Sequence, residues 1–210
     1  MPKTDLRFSS RDGIALGIIA ITALLTWLFF DRLPDPVPVH WNIHGEADRF
    51  AALPGGALIL PGLMLGTWLL MKVVPVISPK EFGMQRFLRP FETVMIACIV
   101  LLALVHVAIL TGTAMLMPYA LGLFIVVLGN FLAKTEPNFF FGIRTPWTLA
   151  SAEVWQRTHR LGGWMFTACG LATLAATPFG VGLYVMAASL CASAVYLVGY
   201  SYVIYGSTAH

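Results

Sequence analysis

The chain alternates between long apolar runs and shorter polar segments. A helix needs about 20 mainly apolar residues to cross a lipid bilayer. Six runs reach or approach that length, at residues 13–30, 57–77, 91–110, 114–133, 163–178 and 181–204. The pattern predicts an all-α, multi-pass membrane protein with six transmembrane helices. It forms one membrane domain, 1–210, with an N-terminal half at 1–110 and a C-terminal half at 111–210.

Composition supports this class of protein. Hydrophobic residues make up 58% and charged residues 11% of the 210 positions, and the mean hydropathy is +0.80. A soluble domain averages about a quarter charged residues. The net charge of +3 is too small to indicate direct binding of nucleic acid, and the three cysteines lie in apolar runs without a CxxC pair.

The distribution of positive charge predicts the orientation, because Lys and Arg accumulate on the cytoplasmic side. Ten of the 13 basic residues fall on one side. They are Lys3, Arg7, Arg11, Lys80, Arg86, Arg89, Lys134, Arg144, Arg157 and Arg160. Loop 31–56 has only Arg32 and Arg49, beside four carboxylates. Both termini and loop 134–162 are therefore predicted in the cytoplasm, and loop 31–56 outside.

The outer loop, 31–56, carries a cluster of candidate metal ligands. His40, His44, Glu46 and Asp48 lie within nine residues, three prolines precede them, and Gly45 permits a sharp turn. One interpretation is a solvated turn with hydrogen-bonded histidines. The alternative is a zinc site that uses His40 and His44 with Asp48 or Glu46.

The inner loop, 134–162, predicts an amphipathic helix at the cytoplasmic interface. Thr145 is placed to cap it, and Pro146 suits its first position, where the missing N–H costs nothing. Trp155 and His159 are one helical turn apart. The apolar positions are Trp147, Ala150, Val154 and Leu161, and the charged positions are Glu153, Arg157 and Arg160.

Polar residues near the apolar runs need partners, because an unpaired charge in hydrocarbon is costly. Arg144 precedes the predicted helix and is expected to point into the bundle or toward the last carbonyls of a neighbouring helix. Glu92 and Glu136 are its candidate partners. Asn130 is expected to join two helices by hydrogen bonding. His106 is expected to reach the outer interface.

These motifs resemble the SdpI family of bacterial membrane proteins. The positions that carry the resemblance are Gly129, Asn130, Lys134, Asn138, the run GIRTPWTL at 142–149, Trp155, Thr158, His159 and Gly162. The outer loop is similar to the domain of unknown function that often accompanies this family. The matching positions there are Pro38, His40, Asn42, Gly45 and Asp48.

The resemblance implies a multi-pass protein of the bacterial cytoplasmic membrane that gives immunity to a secreted, membrane-active toxic peptide. The outer loop would meet the peptide, and the inner loop would recruit a small DNA-binding repressor. The implied binding residues are His40, Asn42, Gly45 and Asp48 outside, and Asn130, Asn138, Gly142, Arg144, Thr145, Pro146, Trp147, Trp155 and His159 inside.

Two other functions stay open. The outer cluster would suit a metal-dependent membrane enzyme, with zinc activating a water molecule. A small transporter is the third hypothesis. Each half has a long loop after its first helix, and both loops contain Pro, Asn, Gly and a charge near an aromatic residue. This similarity indicates an inverted repeat of three helices plus three helices.

Overall fold

The computed structural model describes residues 8–78, 88–138 and 140–208. In chain order these residues form helix α1 (Ser10–Leu28), strands β1 (Val37–Trp41) and β2 (Ala47–Ala51), and helices α2 (Gly55–Ile77), α3 (Leu88–Thr111), α4 (Met117–Leu132), α5 (Pro146–Ala150), α6 (Ala152–Ala176) and α7 (Gly182–Thr208). Short 3-10 turns lie at Phe30–Arg32, Ala114–Leu116 and Thr177–Phe179.

The helices confirm a mainly helical membrane protein. Four of them, α1, α2, α3 and α7, are long and apolar enough to cross a bilayer, and α4 is a shorter apolar helix. The predicted fifth run, 163–178, forms the second part of α6. Crossing by α4 and α6 stays a prediction. So does the orientation, since Lys3, Arg7, Lys80 and Arg86 lie outside the described residues.

Two expectations about the architecture are wrong. The fold is not all helical, because the outer loop forms an antiparallel hairpin of β1 and β2. The inner loop also contains no single interfacial helix. Instead α5 ends at Ala150, Ser151 adopts an extended conformation that caps a new helix, and α6 continues without interruption into the apolar segment.

The helices pack in two groups of three. Helices α1, α2 and α3 contact one another, α6 contacts both α4 and α7, and packing of α3 on α4 joins the groups. Each group has its long loop after its first helix, as predicted. One loop is a β-hairpin and the other a capped helical turn, and the inverted repeat stays a prediction.

A buried carboxylate fixes the start of α1. Ser9 caps this helix, and Asp12 completes the capping box. The Asp12 side chain is fully buried and accepts hydrogen bonds from Trp68 Nε1 and Lys72 Nζ, both at 3.0 Å. Because a buried charge needs a partner, this ion pair holds the start of α1 against the last part of α2.

Glycines allow α4 and α6 to approach closely. Gly122 and Gly129 on α4 face Gly170 and Gly163 on α6. A Cβ atom on Gly129 would lie 2.6 Å from the Thr167 nitrogen and 2.7 Å from the Gly163 carbonyl oxygen. Small residues at such positions let helix backbones meet, which is how van der Waals packing stabilises helix pairs in membranes.

We predict that Gly129→Ala lowers the free energy of unfolding by about 1–3 kcal/mol, because the added methyl group meets backbone atoms that cannot move aside. Reversible SDS titration in mixed micelles measures this change. Gly17→Ala is the matched control, since nothing lies within 4 Å of a Cβ atom there. Equal stability of the two variants would contradict close packing at Gly129.

Candidate functional site

Two ordered segments lie at opposite ends of the bundle. We name residues 37–51 the outer hairpin and residues 134–151 the inner turn, following the predicted orientation. Together they contain most of the site residues predicted from the sequence. Each is described from its local hydrogen bonds outward.

The tip of the outer hairpin is organised by Asn42. Its side-chain oxygen accepts the N–H groups of His44 at 2.9 Å and Glu46 at 3.0 Å. The Asn42 side-chain nitrogen donates to the Glu46 carboxylate at 3.1 Å. Gly45 adopts a φ of 81°, a left-handed conformation that glycine adopts without steric cost. Asn42 and Gly45 are therefore placed where they set the shape of the tip.

The hairpin separates the two predicted histidine ligands. His40 Nδ1 contacts Asp48 Oδ1 across the strands. His44 Nδ1 instead contacts the hydroxyl of Tyr184, near the start of α7. The described residues contain no group of three or more His, Cys, Asp or Glu side chains that could hold a metal ion. Zinc binding stays a prediction, tested by elemental analysis of the purified protein beside His40→Ala.

The base of the hairpin packs on α2. Val37 is 1% exposed, and a Cβ atom on Gly56 would lie 2.9 Å from the Val37 Cβ. The hairpin is thus attached to the N-terminal group at its base and to α7 at its tip.

Asn138 organises the first part of the inner turn. It is fully buried, and its oxygen accepts the N–H groups of Phe140 at 2.8 Å and Phe141 at 2.7 Å. Its nitrogen donates to the carbonyls of Glu136 at 2.8 Å and Phe141 at 2.9 Å. One amide therefore satisfies four backbone groups, which cannot rely on water when they are buried.

His159 holds the middle of the inner turn. The Ile143 N–H donates to His159 Nε2 at 2.8 Å, so Nδ1 carries the hydrogen and donates to the Trp155 carbonyl at 2.8 Å. The Trp155 and His159 rings stack with centroids 4.0 Å apart. Gly142 has a φ of 126°, and a Cβ atom there would lie 2.4 Å from His159 Nε2. Glycine is thus required at position 142.

Burial lowers the pKa of His159 to about 4, although the hydrogen bond to the Trp155 carbonyl acts in the opposite direction. Protonation at Nε2 would add a hydrogen that faces the Ile143 N–H. Two donors would then face each other, and the hydrogen bond from Ile143 would be lost. The inner turn therefore requires the neutral imidazole.

A capping box begins α5, as the sequence predicted for Thr145 and Pro146. Thr145 Oγ1 accepts the Thr148 N–H at 3.1 Å, and Thr148 Oγ1 accepts the Thr145 N–H at 2.9 Å. The Thr145 hydroxyl also lies 3.0 Å from the Ser201 hydroxyl on α7. The Trp147 ring contacts the Tyr202 ring, with centroids 5.0 Å apart. The turn is therefore docked on the last part of α7.

Several expected placements are wrong. Arg144 is exposed and does not point into the bundle, and Glu92 pairs with Arg11 instead. Asn130 is exposed rather than placed between helices. His106 is buried, with Nε2 2.7 Å from the Thr26 hydroxyl, and does not reach the outer interface.

The buried face at the start of α6 also differs from the predicted one. Val154 is buried as expected, but Ala150 is exposed, and Trp155, Thr158 and His159 are buried. Ser151 explains the difference. The helix is interrupted there between α5 and α6, so residues before and after Ser151 do not follow one continuous helical repeat. Thr158 Oγ1 is a buried side-chain oxygen that has no hydrogen-bond partner among the described residues. Glu153 and Arg157, two of the predicted charged positions, form an i,i+4 ion pair at 3.4 Å.

Sequence reasoning missed three kinds of residue. Tyr184, Ser201 and Tyr202 contact the two segments from distant positions, and no local pattern marks them. Asp12 lies just before the first predicted helix, 13–30, and its burial was not predicted. The glycines of α4 and α6 carried a detectable signal, since each pair is spaced by seven residues, which is close to two helical turns.

These features define a multi-pass helical membrane protein with an ordered segment at each end of its bundle. The model of the SdpI/YfhL protein family matches residues 134–201, and the model of a domain of unknown function, DUF1648, matches residues 17–65. These matches confirm the resemblance to the SdpI family that the sequence predicted. The two matches cover the inner turn and the outer hairpin.

A curated relative is similar over most of the chain. The Immunity protein SdpI of Bacillus subtilis (strain 168) is 24% identical over 178 residues, which are 84% of this chain and 85% of that protein. No solved structure matches the chain.

We predict that Asn138→Ala lowers the free energy of unfolding by about 2–4 kcal/mol, because it leaves two partly buried N–H groups without their acceptor. Asn130→Ala is the matched control. Its side chain is exposed, and we expect a change within about 0.5 kcal/mol. SDS titration of both variants measures the difference. Similar losses in the two would show that Asn138 does not organise the turn.

The neutral state of His159 predicts a pH dependence of stability. The unfolded chain binds a proton near pH 6.5, whereas the folded His159 does so only at about 4. Stability should therefore be fully present above about pH 6.5 and fall as the pH drops toward 4. Unfolding titrations at several pH values measure the decline.

His44→Gln should keep this pH dependence, and His159→Gln should reduce it. If His159→Gln does not fold, ¹⁵N NMR of the wild-type imidazole replaces that comparison. A His159 signal that becomes protonated near pH 6.5 would contradict the assignment.

Proposed function

We propose that this protein gives a bacterial cell immunity to a secreted, membrane-active peptide and signals the presence of that peptide to the cytoplasm. The observation that carries the proposal is the similarity to an immunity protein over 84% of the chain, which includes both ordered segments. In this proposal the outer hairpin meets the peptide, and the inner turn recruits a DNA-binding repressor.

The outer hairpin has the chemistry that suits an amphipathic peptide. Ile43 at the tip is 44% exposed and Phe50 on β2 is 54% exposed. Charged side chains of Glu46 and Arg49 are exposed beside them. A peptide that enters a membrane carries both apolar and polar groups, and this mixed surface offers contacts to each.

The inner turn offers a rigid docking surface. Asn138, His159 and the capping box of α5 fix its backbone, while the side chains of Arg144 and Pro146 are exposed. A surface fixed in advance loses little conformational entropy when a partner binds. Arg144 presents a planar donor that suits a carboxylate on a protein partner.

Complementation tests the immunity proposal. Bacillus subtilis cells that lack SdpI would express this chain and be challenged with culture supernatant of the parent strain. We expect the chain to restore survival relative to an empty vector. Normal membrane insertion of the chain without any gain in survival would overturn immunity in this setting.

We predict that Arg144→Ala keeps survival and stability but reduces recruitment of the repressor to the membrane at least about tenfold, the scale expected for losing a charge-assisted hydrogen bond. Quantitative proteomics of the membrane fraction measures recruitment. Arg157→Ala is the control, since Arg157 is also exposed and pairs with Glu153 on its own helix. Equal recruitment by both variants would show that Arg144 is not part of the docking surface.

A further inference from the structure

Helix α7 contacts both ordered segments with its own side chains. Near its start, the Tyr184 hydroxyl contacts His44 Nδ1, and the two rings lie edge to face with centroids 5.9 Å apart. Near its end, Ser201 contacts Thr145, and Tyr202 contacts Trp147. The outer hairpin and the inner turn are thus attached to one helix.

The two contact regions are separated by nearly the thickness of a membrane. Ser201 follows Tyr184 by 17 positions along the chain, which is about 26 Å at 1.5 Å per residue. The hydrocarbon core of a bilayer is about 30 Å thick. Helix α7 has no proline in its 27 residues. A displacement at one end is therefore carried to the other end by continuous backbone hydrogen bonding.

One stripe of α7 packs on its neighbours. Ser193, Leu197 and Ser201 are buried at four-residue spacing, so they lie on one face of the helix. Ser193 contacts Cys169 of α6 at 3.4 Å. A helix that packs through one narrow face is suited to the small shifts of about 1–2 Å seen in switching proteins.

We propose that α7 is the element that couples the outer hairpin to the inner turn, with Tyr184 and Ser201 as its two positioning residues. This inference deepens the proposed function, and its biological meaning rests on that function. A ligand that draws the hairpin tip away from α7 breaks the contact of His44 with Tyr184. The freed helix shifts, and the Thr145 cap loses Ser201 at the other end.

The two residues that α7 contacts, His44 and Thr145, are each held in place by local hydrogen bonds. His44 is placed by the hydrogen bond of its N–H to Asn42, so movement of the tip moves this imidazole. Thr145 caps α5, so loss of its Ser201 contact acts on the capping box directly. At one end, α7 is therefore connected through His44 to Asn42, which shapes the hairpin tip. At the other end, it contacts Thr145, which caps α5.

Amide hydrogen exchange of the full chain in lipid nanodiscs tests the coupling without a ligand. Tyr184→Phe keeps the ring and removes the hydroxyl. We expect exchange at Phe141 and Ile143 in the inner turn to accelerate by between about twofold and tenfold, the range that one hydrogen bond supports. Tyr196→Phe, on the same helix with Tyr200 as its ring partner, should leave that exchange unchanged.

Coupling between two sites is reciprocal, so the opposite variant supplies an independent test. Ser201→Ala should accelerate exchange at His44 and Glu46 in the hairpin tip by a similar factor. Ser189→Ala is the matched control. Both serines donate to their own helix, Ser189 to Met186 at 3.2 Å and Ser201 to Val198 at 2.7 Å, but Ser201 also contacts Thr145.

Acceleration confined to the altered end in both variants would overturn the coupling. That outcome would leave immunity untouched, since survival is measured separately. Conversely, reciprocal acceleration with no protection in the survival assay would support the coupling and reject immunity. Acceleration in the control variants as well would show general destabilisation and would also overturn the proposal.

Discussion

The close approach of α4 and α6 is the constraint on which the C-terminal half depends. Glycines at seven-residue spacing remove the side chains between the two backbones, so the last turn of α4 lies directly against α6. The chain that leaves α4 must then cross the first turns of α6. It does so with Trp155 and His159 beneath it, and the Trp155 Nε1 donates to the Thr135 carbonyl at 3.0 Å.

Such a crossing segment must satisfy its polar backbone groups without regular secondary structure. Water is scarce where the backbone is buried, and each unmet group costs free energy. In this segment, side chains supply the hydrogen-bond partners of the backbone groups. Asn138 provides both donors and acceptors, His159 accepts one N–H, and the two threonines of the capping box bond reciprocally. The same device recurs at the other end, where Asn42 shapes the hairpin tip.

Sequence reasoning succeeded where a feature is local or periodic. Hydropathy located the apolar helices, the Thr145–Pro146 pair marked a helix start, and spacing placed Trp155 against His159. It failed where distant residues decide the outcome. The hairpin at 37–51 is only five residues per strand, and its prolines and charges obscured the alternation. Contacts of Tyr184 and Ser201 leave no local signal. Arg144 was expected inside with Glu92 as a candidate partner, but Glu92 pairs with Arg11.

The ion pair between Asp12 and Lys72 has a consequence for biogenesis. The Asp12 charge cannot be buried with a partner until both helices are in place, because Lys72 on α2 compensates its desolvation. While α2 is still being synthesised, α1 must therefore keep Asp12 in contact with water or headgroups. Closure of α1 onto α2 is then linked to completion of α2, since Lys72 is near its end. The first two helices are thus expected to settle to their final depth in the bilayer together, as a pair.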